Sequence, residues 1–467
     1  MKKLYSILLI LLLSAAMLVG VISLVDKDAT ESELENRRLA SKPEFSWSAL
    51  LDGSYIAELE TYYSDTFPGR EALLKANTVL NKFYYFSGRE ENTMLVIDFD
   101  GDVAQAGQAL QPTQPEADTP AETPEVSDPN PQPETQVPEE TVPPVEEEPE
   151  PNYDEMDLTT TDNSIIILGT SALDVPTGSE EIIGRYSTAI NNIQTALGDQ
   201  VRMISLVTPN SAQFYSPTEY HTGSHDQKWM IDLCYSNMNL DVLTVDAYSV
   251  LEKHKKEDIY FRTDHHWTAL GAYYAYTAFC DTVGFEPIPL DQFRTGTYEG
   301  FVGSMYGYTS QYPQSQVLKD NPDTLTYYCP IEDTQAAFFA NGEMNPAQAY
   351  WIDVVNTNLP DSEKNRYMCF LSGDHPVVRI TSSAKGGKCL VLKDSYGNAF
   401  IPFLTSHYSE IYVIDPREFN ADGKPSLDLT AFVQEHAVDD VLALNYPFMI
   451  NRKDYARMLN YLVGIAP

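Results

Sequence analysis

From residue 164 onward the chain alternates short apolar runs with helical patterns, and this alternation limits the fold more than any other feature. Ile165–Leu168 is a compact apolar run, and helical spacing follows over Glu180–Leu197. Apolar runs at 201–207 and 242–245 precede a helical pattern over 269–283. Near the C-terminus, apolar runs at 388–392, 411–414 and 441–444 are separated by helical patterns at 398–408 and 429–436. Strands this short and this apolar are buried on both faces, and crossover helices provide the cover. The expectation is an α/β fold with a parallel sheet between helical layers. Residues 286–386, rich in Tyr, Gly, Gln and Asn, break the rhythm and read as an insertion near the site.

The N-terminal third is different. Residues 4–25 are almost wholly apolar and follow Lys2 and Lys3. About 20 such residues span a bilayer, and the two lysines favour a cytoplasmic N-terminus. Residues 1–27 are therefore expected to be a transmembrane signal anchor, with the rest of the chain extracytoplasmic; a cleaved signal peptide is the alternative. Residues 28–104 read as a juxtamembrane stalk and helical segment, in which Pro68 ends a helix and 94–99 forms a short strand. Residues 105–160 are acidic and Pro-rich, with too little apolar surface to offset the entropy of ordering. They read as a disordered insertion, and 161–467 as the catalytic domain.

Acidic residues outnumber basic ones 68 to 30, a formal charge of −38. Nucleic-acid binding needs clustered cations, so that class is excluded. The five cysteines are scattered and form no Cys-x-x-Cys pair, so a zinc site on thiolates is not expected; one or two disulfides remain open outside the cytoplasm.

Two stretches carry chemistry. Thr263-Asp264-His265-His266-Trp267-Thr268 stands at a helix start, and Lys393-Asp394-Ser395-Tyr396-Gly397 follows an apolar strand. Ligands gather at the carboxyl ends of strands in such sheets. A serine there needs a base to become a nucleophile. His266 would supply it, and Asp264 would fix the ring through Nδ1. Catalytic candidates are therefore Ser395, His266 and Asp264. Tyr396, Gly303 and Ser304 are candidates for the oxyanion or for substrate binding. Ser171, which also follows an apolar run, is a competing nucleophile. Asp264, His265 and His266 with His254 or Asp258 form a competing metal reading, although no helical His-x-x-x-His pair is present, and no metal or other cofactor is expected. A non-catalytic, envelope-anchored structural protein is the third reading.

The motif Thr263-Asp264-His265-His266-Trp267-Thr268 resembles the signature of the DHHW family, which is similar to the SGNH-like proteins that acetylate alginate. Asn36-Arg37, Asp65-x-Phe67-Pro68-x-Arg70, Lys393-Asp394-Ser395-Tyr396 and Asp415-Pro416-Arg417 resemble further family blocks. The resemblance implies an SGNH hydrolase-like three-layer α/β/α fold and a triad of Asp264, His266 and Ser395, with His265 in a variable position. It also implies O-acetyl transfer to a polysaccharide acceptor, with a membrane-bound O-acyltransferase as acyl donor. Carbohydrate deacetylation on the same triad is the alternative activity.

Overall fold

A computed structural model describes residues 151–465, except 162–163, 340–341, 343, 348, 362 and 421–423. Before residue 151 it describes only 31–32, 37–38, 41–43, 45–46, 55, 59, 62–63, 66–67, 95–97 and 103–105. Two short antiparallel ladders lie in that part: Glu31–Ser32 with Arg37–Arg38, and Leu95–Ile97 with Val103–Gln105. The second contains the strand expected at 94–99. The expected anchor at 1–27, and most of the acidic stretch, lie outside the described residues. Among the described residues no helix is long and apolar enough to cross a membrane.

Chain order after residue 151 runs β1 (Leu158–Thr160), β2 (Ile165–Leu168), β3 (Ser171–Asp174), α1 (Glu180–Leu197), β4 (Arg202–Val207), α2 (Gln227–Ser236), β5 (Val242–Val245) and α3 (Ala269–Val283). It continues through β6 (Thr295–Phe301), β7 (Asp323–Tyr328), β8 (Thr334–Phe339), β9 (Tyr350–Ile352) and β10 (Val377–Ser382). The last part is β11 (Lys388–Lys393), α4 (Gly397–Leu404), β12 (Glu410–Ile414), α5 (Leu429–His436), β13 (Asp440–Asn445) and α6 (Lys453–Leu462).

One eight-stranded sheet organises the domain, in the order β9-β8-β10-β12-β11-β13-β4-β5. The five strands from β12 to β5 run parallel. Every residue of β12 and β13, and all of β11 after Lys388, is buried. Such strands must be covered on both sides. The connections show how. The path from β11 through α4 to β12 moves one way across the sheet, and the path through α5 to β13 moves back. Right-handed crossovers put those two helices on opposite faces. In agreement, α4 packs on α3, whereas α5, α2 and α6 pack on α1.

The structure revises the sequence reading at several points. The sheet is mixed, because β9, β8 and β10 join it antiparallel. Those strands come from 286–386, so that segment extends the sheet rather than only decorating it; Thr334-Gln335-Ala336-Ala337 carries little β signal, and its neighbours' unpaired backbone groups decide its conformation. The run Ile165–Leu168 is not in the main sheet but is the centre of the antiparallel meander β1-β2-β3. The meander also takes in residues 158–160, which fall within the expected acidic insertion. All five cysteines are free and buried, so none forms a disulfide.

At the end of β3, Asp174 is fully buried. Its Oδ1 and main-chain oxygen both accept from Asn210 Nδ2, at 3.0 and 2.9 Å, and Asn210 Oδ1 accepts from Gln227 Nε2 at 2.7 Å. Oδ2 has no partner. Burial pushes its pKa up to about 8, and the nearby Asp264 charge adds to the rise. The folded chain thus holds a proton that the unfolded chain releases near pH 4. The associated stability is complete below that value and is lost as pH rises through about 8. Asp174→Asn should therefore melt close to the wild type near pH 4 and above it at pH 8–9, by up to a few kcal/mol. Thermal melts of the two proteins across this range test it; parallel curves would show that the carboxyl ionises freely in the native state.

Candidate active site

Every residue of the motif at 263–268 has a structural task. Thr268 caps α3, accepting from Gly271 N–H at 3.2 Å, which starts the helix. Gly271 is required there, because a Cβ would lie 2.3 Å from the Ile259 carbonyl oxygen. The Thr263 hydroxyl and N–H both donate to Asp323 Oδ2, at 2.6 and 2.8 Å, which fastens the motif to β7. Trp267 is fully buried and donates from Nε1 to the Tyr396 carbonyl at 2.9 Å. In return the Tyr396 hydroxyl donates to the His265 carbonyl. These two bonds strap the motif to the turn after β11, although the segments lie 129 and 131 residues apart in sequence.

The strap brings three sequence candidates into line at the carboxyl end of β11. His266 Nδ1 lies 2.6 Å from Asp264 Oδ1, and Nε2 lies 2.7 Å from Ser395 Oγ. His266 is fully buried, whereas Ser395 is partly open to solvent. Asp264 Oδ1 also accepts from the His266 N–H at 3.0 Å, and Oδ2 accepts from the Ser304 N–H at 2.8 Å. Burial alone would raise the Asp264 carboxyl. The His266 and His265 imidazoles and the Ser304 N–H outweigh it and hold the group well below the usual carboxylate range. A permanently ionised Asp264 fixes the His266 tautomer with its proton on Nδ1, leaving Nε2 to accept the serine proton.

His265 lies beside that line, its ring 3.8 Å from the His266 ring and its Nδ1 3.9 Å from Asp264 Oδ1. Its Nδ1 lies 2.7 Å from Ser304 Oγ. Burial, then the neighbouring His266 charge, pushes its pKa down to about 3, so it stays neutral. The three metal-capable side chains, Asp264, His265 and His266, do cluster. Asp264 and His266 spend their donor and acceptor atoms on each other, on Ser304 and on Ser395. His254 pairs instead with Glu257, at 2.7 Å, so it does not complete a metal set with them.

The main-chain amides of the three oxyanion or substrate-binding candidates, Gly303, Ser304 and Tyr396, are all engaged. Gly303 N–H donates to Thr263 Oγ1 at 3.0 Å, and Ser304 N–H to Asp264. A Cβ on Gly303 would sit 2.3 Å from Asp264 Cβ, so this glycine makes room for the aspartate. Tyr396 N–H donates to Asp394 Oδ1 at 2.9 Å. All three amides are committed. The Ser395 N–H, by contrast, has no hydrogen bond to another described residue. The rival serine, Ser171, begins β3 and pairs with Leu168, so it stands in the meander rather than on His266.

Beneath the serine lies a charged cluster that sequence reading did not find. Lys393 Nζ is 2.5 Å from Asp374 Oδ1, and Arg417 bridges Asp374 and Asp415 at 2.6 Å to each. Asn398 Nδ2 also donates to Asp374, at 2.9 Å. Burial opposes ionisation of Asp374, but Lys393 and Arg417 hold its carboxyl well below the usual range. Burial raises the Asp394 carboxyl to about 6, partly offset by Asn445 and the Tyr396 N–H. Tyr367, from the same 286–386 segment, covers one face of the His266 ring. No sequence signal marks it, since it is one of 30 tyrosines.

A solved structure of a DHHW family protein from Eubacterium siraeum is 30% identical, with a TM-score of 0.58, over 65% of this chain and 97% of that one. Bacillus cereus PatB1 carrying a sulfonyl adduct is 18% identical, with a TM-score of 0.49, over 65% and 99% of the two chains. The O-acetyltransferase domain of Pseudomonas putida AlgJ is 14% identical, with a TM-score of 0.37, again over 65% and 99%. No curated protein matches the chain in sequence. The sequence model described as DHHW protein matches residues 35–100 and 146–414, a span that contains Asp264, His266 and Ser395. The chain belongs to the DHHW family.

Proposed function

We propose that the protein is an extracytoplasmic O-acetyltransferase that moves an acetyl group onto hydroxyls of a cell-surface polysaccharide through a serine ester on an SGNH-like three-layer domain. One observation carries the reading: a single buried imidazole lies 2.6 Å from a carboxylate and 2.7 Å from a hydroxyl at a strand end. That hydroxyl is the partly open member of the three. A structural protein has no need of this line. The motif's resemblance to proteins that acetylate alginate supports acetyl as the group and a polymer as the acceptor.

The proposed cycle uses this geometry. His266 Nε2 takes the Ser395 proton as Oγ attacks the acyl carbonyl. The oxyanion forms beside the Ser395 N–H, which has no hydrogen bond to another described residue. His266 then gives its proton to the leaving group, and the acetyl group stays on Oγ. A sugar hydroxyl next surrenders its proton to the same nitrogen and attacks the ester, and Ser395 recovers a proton from His266. If water takes the acceptor's place, the same steps give hydrolysis, so the acceptor site decides between transferase and esterase. The donor in this reading is a membrane-bound O-acyltransferase, and residues 1–27 keep the domain beside it.

A fluorophosphonate probe tests the nucleophile. The wild type should label at Ser395, Ser395→Ala and His266→Ala should not label, and Ser171→Ala should label normally. Labelling that survives Ser395→Ala and disappears in Ser171→Ala would reverse the assignment. Asp264→Asn should keep the fold and lose roughly 10⁴-fold in acylation rate, as loss of the carboxylate does in other triads. A loss below about tenfold, measured by stopped-flow acylation with an activated acetyl ester, would mean that Asp264 does not set the tautomer.

A further inference from the structure

We infer that Tyr367 is a positioning residue that holds the His266 ring in its working plane and favours its protonated form during acyl transfer. This rests on the Ser395–His266 reading above. The Tyr367 and His266 rings lie parallel, with centroids 3.9 Å apart and planes 9° from coincident. The Tyr367 hydroxyl donates to the Ser395 carbonyl at 3.1 Å. One side chain therefore touches both the base and the residue that bears the nucleophile. It does so from one face of the imidazole, leaving Nδ1 and Nε2 to Asp264 and Ser395; the other titratable groups facing the ring are His265, with centroids 3.8 Å apart, and Tyr396, at 5.2 Å.

The contact has a consequence for the reaction. An aromatic face attracts a cation through its quadrupole, more strongly where water is excluded. His266 and Tyr367 are both fully buried. The attraction is weak for neutral imidazole and grows when His266 takes the serine proton. It is thus greater in the transition state than before it, which is the condition for an interaction to raise a rate.

The backbone around Tyr367 is built to hold this placement. The residue sits in a 3₁₀ turn, Arg366–Cys369, capped by Asn365, whose Oδ1 accepts from the Tyr367 N–H at 3.2 Å. The turn is bonded to the neighbouring chain, with Asn356 N–H donating to Cys369 at 2.7 Å and Leu371 N–H to Val354 at 3.0 Å. Leu371, Ser372 and Gly373 then have φ of 52°, 55° and 90°. Left-handed backbone at two successive non-glycine residues persists where the surroundings over-determine it. This stretch ends at Asp374, so it joins the ring cover of His266 to the ion cluster beneath Ser395.

The test is the pH dependence of fluorophosphonate labelling in full-length protein carrying ring variants. Tyr367→Phe keeps the face and loses the hydroxyl. It should label within roughly threefold of the wild type, with the same acid limb. Replacing Tyr367 by pentafluorophenylalanine keeps the shape and reverses the quadrupole. Its acid limb should move to lower pH by about half a unit relative to Tyr367→Phe, and its plateau rate should fall. Tyr367→Leu should lose on the order of tenfold or more. Coincident acid limbs for the two aromatic variants would overturn the proposal, and so would a loss in Tyr367→Phe as large as that in Tyr367→Leu. The isosteric pair decides the matter even if Tyr367→Leu fails to fold. A wild type that does not label at Ser395 would take down the acyl-transfer reading and this inference together. A labelled wild type with unmoved variants would remove only the role of Tyr367.

Discussion

Two hydrogen bonds between loops hold this site together: Trp267 Nε1 to the Tyr396 carbonyl, and the Tyr396 hydroxyl to the His265 carbonyl. Neither involves a reacting atom. Both are buried, where an unpaired polar group is costly and a made bond is correspondingly firm. They set the relative position of two peptide segments, and that position puts an imidazole within 2.7 Å of a hydroxyl. The reason for tryptophan at position 267 is therefore specific. A large apolar ring fills the space above α4, stacking near Phe400, and its single N–H reaches across to the nucleophile turn. Phenylalanine would fill much of the space and lose the bond to the Tyr396 carbonyl.

The sheet supplies the other half of the precision. β11 and β13 run parallel and end side by side, so Asn445 at the end of β13 can donate to Asp394 at 3.0 Å. Asp394 in turn accepts from the Tyr396 N–H, and Tyr446 stacks on the Tyr396 ring at 4.6 Å. Beneath them the Lys393, Asp374 and Arg417 ion pairs tie β11 to the segments on either side. Buried ion pairs of this kind add little net stability, because desolvation offsets attraction. Their effect here is geometric. They fix the residues flanking Ser395 while the serine itself stays partly open.

Much of this was legible in the sequence, and the reasons differ by region. The apolar runs at 388–392, 411–414 and 441–444 became the central strands because strands buried on both faces leave a continuous hydrophobic signature. Asp264, His266 and Ser395 were readable because a carboxylate and an imidazole two residues apart, and a serine at a strand end, have a specific chemical use. The roles of Gly303, Ser304 and Tyr396 were not. A candidate oxyanion donor is recognised by a free N–H, and whether an amide is free depends on tertiary partners. Strands β8, β9 and β10 were not legible for a related reason, since the antiparallel strands added beyond β12 are recruited by the unpaired backbone of their neighbours. Tyr367 left no trace at all: its function comes from a parallel ring contact made across more than a hundred residues of chain.

Acyl transfer at this site requires that Ser395 carry the acyl group. Incubation with an activated acetyl ester, rapid acid quench and peptide mass spectrometry measure this directly. The expected result is a single acetyl adduct on Ser395 in the wild type and none in His266→Ala. Turnover of the ester with no adduct on Ser395, or with the acetyl group on another side chain, would contradict it.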